Sequence, residues 1–146
     1  MIIPDINLLV YTYNKDAPYH APAVEWWQEL MNGRDTIGVP WIVCLGFLRL
    51  MTNPRILIRP MESRLALSHV RSWILRPQVQ ILQPGPRHLD ILEFFAQKRL
   101  LSSALLTDAH LAALAIEYQA EIHSNDGDFD RFPGLRRRNP LGKSFH

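Results

Sequence analysis

Four aspartates, Asp5, Asp108, Asp126 and Asp128, carry the chemistry most readily read from this chain. They stand in Pro4-Asp5-Ile6-Asn7, Thr107-Asp108-Ala109-His110 and Ser124-Asn125-Asp126-Gly127-Asp128-Phe129. Gathered at one place, such carboxylates repel one another and raise one another's pKa, so a cluster of them calls for a cation. Hard oxygen donors, with no cysteine or histidine at ligand spacing, favour Mg²⁺, with Mn²⁺ able to substitute, over zinc. Each acid also has a purely structural reading: Asp5 as a helix cap, Asp108 in a helix first turn, Asp126-Gly127 as an ordinary turn. His110 and His123 read as local hydrogen-bonding residues. Cys44, the only cysteine, lies in an apolar stretch and reads as a small buried hydrophobe.

The elements that must position these acids alternate along the chain. Strands are predicted at 2–4, 36–39, 79–82 and near 121–123. Between them fall a helix through Leu8, Leu9, Tyr11 and Thr12, then helices at 21–31, 41–51, 62–75 and 88–98, and one from about Asp108 through Leu111, Leu114, Ala115 and Tyr118. Pro40 is expected at the first turn of its helix, and Asn53-Pro54 at the stop. Strands separated by helices imply parallel pairing and a layered α/β/α domain. A helix of about 12 residues from Asp108 travels roughly 18 Å. The following strand, about 4–5 residues at about 3.3 Å each, brings Asp126 back to the same level. With Asp5 ending the first strand, three strand ends are expected to deliver carboxylates to one rim.

Composition sets the frame. A chain of 146 residues, 47% hydrophobic and 21% charged, is long enough for one domain with a substantial core, expected to span 1–146 with a peripheral tail at 141–146. No apolar run approaches the roughly 20 residues of a membrane span, and the first residues lack the pattern of a secretory signal, so a cytoplasmic, non-membrane protein is expected. Behind the net charge of +2, arginines recur at 49, 55, 59, 64, 71 and 76 and again as Arg136-Arg137-Arg138. A basic surface around an acidic centre suits a polyanion whose phosphates reach a metal, although arginines on helices also form plain solvated faces. Trp26, Trp27 and Trp41 read first as core, and as partner surface second.

In their order and spacing, four segments resemble the PIN-domain toxins of bacterial VapBC toxin–antitoxin pairs: Asp5-Ile6-Asn7; Phe47-Leu48-Arg49 with Thr52-Asn53-Pro54-Arg55; Thr107-Asp108-Ala109-His110-Leu111-Ala112-Ala113; and Asp126-Gly127-Asp128-Phe129 with Arg131-Phe132-Pro133-Gly134-Leu135. The resemblance covers nearly the whole chain. It implies a PIN-like three-layer α/β/α sandwich around a mainly parallel sheet. It further implies an Mg²⁺-dependent endoribonuclease, a homodimer, inhibited by a cognate antitoxin in its active-site groove. Carried over by position, Asp5 and Asp108 would be the principal metal ligands, Asp126 would complete the set and Asp128 would assist. Thr107 and Ser124 would be supporting hydroxyls, and Asn7 would orient Asp5. Arg49, Arg136, Arg137 and Arg138 are the candidate RNA contacts.

One position departs from the pattern. Members of that family commonly carry a glutamate just before the Phe-Leu-Arg segment, and here it is Gly46. Either the four aspartates suffice, or an acid enters from elsewhere, or metal affinity and activity are diminished. The alternative reading follows from this glycine: a degenerate, non-catalytic PIN module that binds RNA or a protein partner. Phosphotransfer through an aspartyl intermediate fits less well, since no lysine accompanies the acids in a phosphate-binding arrangement.

Overall fold

The computed structural model describes residues 1–142. Five strands, β1 (Ile2–Pro4), β2 (Ile37–Pro40), β3 (Val79–Leu82), β4 (Glu121–His123) and β5 (Arg136–Arg138), form one sheet in the order β3-β2-β1-β4-β5. Every pairing is parallel. Helices α1 (Ile6–Tyr13), α2 (His20–Asn32), α3 (Trp41–Met51), α4 (Ser63–Ile74), α5 (His88–Gln97) and α6 (Leu106–Glu117) supply the connections, giving the α/β/α architecture expected. The chain runs outward from β1 to β2 and β3, then returns to place β4 on the other side of β1. Strand order therefore reverses between β1 and β4, a switch point of the kind at whose carboxyl-end edge open α/β sheets place their ligands.

Burial explains the strands. Ile3, Ile37, Val39 and Ile122 are fully enclosed, as parallel strands covered on both faces require. Pro4 and Pro40 close β1 and β2, and the extended residues Asp5 and Pro40 are the caps from which α1 and α3 begin. Pro40 thus stands one position before the first helical turn where it was expected.

Two of the helices end in the same way. After α6, Gln119 adopts a left-handed conformation (φ 54°), and the amides of Gln119 and Ala120 bond back to Ile116 and Ala115. After α5, Arg99 (φ 61°) does the same, with Arg99 and Leu100 bonding to Ala96 and Phe95. Such six-to-one and five-to-two bonds satisfy the last carbonyls of a helix and turn the chain sharply, which is how α6 feeds directly into β4.

The core has two aromatic centres. Trp73 of α4 meets Phe47 of α3 edge-on at 4.8 Å, Trp27 of α2 at 5.7 Å and Tyr13 of α1 at 5.9 Å, and donates its indole N–H to the Tyr13 hydroxyl. On the other side Phe95 of α5 packs edge-on against Phe132 at 5.0 Å, with Phe129 next to it. Trp26 and Trp27 are core residues, whereas Trp41 is half exposed.

Three sequence expectations need amendment. The helix expected from about Asp108 begins at Leu106, so Asp108 comes from a helix first turn and not from a third strand end. The arginine tract, for which no element is predicted, forms β5, the edge strand beside β4. Leu141, placed with the peripheral tail, is buried, while residues 143–146 of that tail lie outside the described residues.

Candidate active site

Asp5 sits at the end of β1 and at the N-cap of α1, yet its side chain makes no capping hydrogen bond. It is buried, and its Oδ2 accepts from Ser124 Oγ at 2.7 Å. Ser124, fully buried, follows β4, and the parallel register that aligns Pro4 with His123 brings the two residues side by side. The Ser124 hydroxyl oxygen also accepts the Asp126 amide at 3.0 Å. Asp126 Oδ1 in turn accepts the Asp128 amide at 2.9 Å, starting the 3-10 turn Gly127–Arg131. Phe129 and Phe132 sink into the core and hold that turn down.

Asp108 is close enough to feel the charges of all three of these aspartates. Burial pushes its carboxyl up to about 6, and the negative charges of Asp5, Asp126 and Asp128 all add to the rise. Asp5 is also raised, chiefly by burial; the bond from Ser124 pulls the other way and Asp126 adds a smaller upward push. Two strand ends and one helix start, rather than three strand ends, thus converge on a common centre. None of the four carboxylates belongs to an ion pair among the described residues. A centre of uncompensated carboxylates fits a divalent cation by charge and by donor chemistry. Among the described residues no three Asp, Glu, His or Cys side chains are grouped closely enough to hold a metal ion by themselves. Mg²⁺ keeps several waters and is held by as few as one or two protein carboxylates together with substrate oxygens.

The supporting residues divide. Ser124 lies at the heart of the cluster. Asn7 and Thr107 are exposed, and neither makes a hydrogen bond to Asp5 or Asp108 among the described residues, so Asn7 does not orient Asp5 directly. Gly46 explains its own lack of a side chain: a Cβ there would lie 2.6 Å from Ile6 Cδ1, so the first residue of α1 fills the space on that side of α3.

The arginines divide as well. Arg137 bonds both carboxylate oxygens of Asp130 at 2.8 Å and donates from Nη1 to the Ser124 carbonyl at 3.1 Å. Arg136 donates to the Gln119 carbonyl at 2.8 Å but is otherwise exposed, as are Arg138 and Arg49. Arg136 and Arg138 line a groove of about 640 Å³ with Glu25, Glu29, Asp35 and Glu121.

The histidines are local. His123 accepts the Trp26 indole N–H at 2.9 Å on Nδ1 and so donates from Nε2 to Glu121 at 3.1 Å. His110 meets His88 at 2.9 Å, and His88 meets the buried Glu117 at 2.7 Å. Glu117 also accepts the Gly85 amide. The sequence does not single out this chain, because His88 lies on α5 and His110 and Glu117 on α6, and only the packing of the two helices unites them. Burial pushes the Cys44 thiol up to about 11, far from any reactive thiolate.

Residues 2–135 match the family model described as PIN domain. A relative from Mycobacterium tuberculosis, Ribonuclease VapC33, is 47% identical over 97% of this chain and 99% of its own. Ribonuclease VapC37 from the same organism is 37% identical over 96% of this chain and 97% of its own. Among solved structures, VapBC2 from Rickettsia felis bound to a DNA fragment from its promoter superposes with a TM-score of 0.67 at 20% identity, covering 95% of this chain and 98% of the other. The Mycobacterium tuberculosis VapC20 toxin, described as cleaving the sarcin-ricin loop, superposes at 0.65 with 18% identity over 93% of this chain and 99% of its own.

Proposed function

We propose, from the premise that this chain belongs to the PIN-domain family of VapC ribonucleases, that it is a divalent-cation-dependent endoribonuclease acting as the toxin of a toxin–antitoxin pair. The single observation that carries the reading is the convergence of Asp5, Asp108, Asp126 and Asp128, expressed in the Asp108 carboxyl pushed up to about 6 by burial and by the charges of the other three.

Asp5, Asp108 and Asp126 would hold Mg²⁺ or Mn²⁺, with Asp128 on the exposed side of the cluster. When bound, the cation supplies an acidified water and offsets charge on the phosphodiester. Ser124 orients the Asp5 carboxylate by donating to Oδ2, which works against the rise that burial imposes, and it spaces Asp126 from Asp5 by accepting its amide. The half-buried setting of Asp108 limits water around its charge, which strengthens its hold on a cation. Arg49, Arg136 and Arg138 remain as exposed cations for RNA phosphates.

A cognate antitoxin, a homodimer and a cytoplasmic location belong to the same reading. So does activity with aspartates alone, since Gly46 brings no carboxylate to the centre. No helix among the described residues is long and apolar enough to cross a membrane.

The test is cleavage of a mixed RNA pool by purified, antitoxin-free protein with Mg²⁺ and with chelator, for wild type, Asp5→Asn and Asp108→Asn. Cleavage that needs the cation and both carboxylates is expected, with folding of the variants checked by circular dichroism. An RNA that binds but stays intact with every cation would favour the degenerate module, and cation-dependent cleavage by both variants would reject these acids.

A further inference from the structure

Arg137 is the half-buried member of a strand whose two other arginines are exposed. Alternation along β5 sends its side chain to the face opposite Arg136 and Arg138, towards the 3-10 turn. There its guanidinium spans a closed segment. Nε and Nη2 grip both oxygens of Asp130 at 2.8 Å, and Nη1 reaches the Ser124 carbonyl at 3.1 Å. The Ser124 amide meanwhile donates to the Arg138 carbonyl at 3.0 Å. Both ends of the segment running from Ser124 to Asp130 are therefore fastened to β5, and between them stand Asp126 and Asp128.

We propose that Arg137 is a positioning residue that clamps the turn between Ser124 and Asp130 and so fixes Asp126 and Asp128 relative to Asp5; its bearing on cation binding rests on the reading of these acids given above. The planar fork of arginine suits the task, since three of its N–H groups are used in fixed directions at once. A lysine would keep the charge and lose the fork.

Charge and clamping predict opposite signs for cation binding. A guanidinium close enough to feel Asp126 repels a divalent cation, so removing it on charge alone would tighten binding. Loss of the clamp would loosen Asp126 and weaken binding, by about tenfold for an outer partner of a metal site.

Two measurements test this on the full-length protein: Mn²⁺ binding by titration calorimetry, and amide hydrogen exchange at Asp126 and Asp128, whose N–H groups bond within the turn. The variants are Arg137→Gln, Arg137→Lys and Asp130→Asn, the last a mild change at an exposed carboxylate. All three are expected to speed exchange of both amides about tenfold and to raise the Mn²⁺ dissociation constant, with Arg137→Gln plus Asp130→Asn no worse than Arg137→Gln alone. Unchanged exchange, or tighter Mn²⁺ binding by Arg137→Gln, would overturn the clamp. If wild type binds no Mn²⁺, the cation reading falls, and the exchange rates alone decide for or against the clamp.

Discussion

Ser124 Oγ donates to Asp5 Oδ2 at 2.7 Å, joining residues 119 positions apart across the ends of β1 and β4. The same oxygen accepts the Asp126 amide, so one buried hydroxyl sets the spacing of two acids.

Ser124→Ala should therefore affect more than stability. It leaves a buried carboxylate and a backbone amide each short of a partner, at a cost of about 1–3 kcal/mol in denaturant unfolding. Cation affinity and RNA cleavage should fall together by about 10–100-fold. A variant that loses stability but keeps wild-type cleavage would remove Ser124 from the site.

The Asp108 carboxyl gives a signature in pH. Its folded value of about 6 lies above the ordinary 3.8, so its neutral form favours the fold. That contribution is complete below the unfolded value and is lost as pH rises through about 6, with Asp5 acting in the same direction. The melting temperature of cation-free protein, relative to Asp108→Asn, should thus decline between about pH 4 and pH 6.5. Saturating Mg²⁺ should offset the decline by binding the ionised cluster. Equal pH profiles for the two proteins would contradict the charge crowding described.

Gly46 and Ile6 should prove coupled. Alanine in a helix interior is ordinarily favoured over glycine by about 1 kcal/mol. Gly46→Ala should not realise that gain, because its Cβ meets Ile6 Cδ1 at 2.6 Å. Adding Ile6→Val removes that atom and should recover part of it, a non-additive result in urea unfolding. Gly46→Glu should likewise add no cation affinity while Ile6 is intact.

The exposed arginines predict a salt dependence. Neutralising Arg136 and Arg138 should lower the slope of log binding constant against log salt by about 0.7 for each single-stranded RNA phosphate that either arginine neutralises. An unchanged slope would assign both to the groove shared with Glu25, Glu29 and Asp35.

Much of the fold is legible in the sequence, because hydrophobic periodicity marks elements that bury a face. The strand at Ile2–Pro4 coincides with a short apolar run and that at Val79–Leu82 with alternating sidedness, while helices α2, α3 and α4 coincide with apolar spacing. β5 is not legible. Arg136–Arg138 is an edge strand with an exposed, half-buried, exposed pattern, and a run of arginines carries no apolar alternation to betray pairing with β4. Asp108 is easily misplaced onto a strand end, because an acid in a helix first turn and one after a strand have similar flanks. Ser124 stands out only through the family resemblance, since its role as bridge depends on β1 lying next to β4, and neighbours so distant in sequence leave no local trace.

That pairing also has a consequence for biosynthesis. Asp5 leaves the ribosome 119 residues before Ser124, yet the paired ends of β1 and β4 exist only once both strands are present. A nascent or prematurely terminated chain lacking β4 holds Asp5 without Ser124 or Asp126. The complete acidic centre therefore comes into being all at once, when β4 pairs with β1.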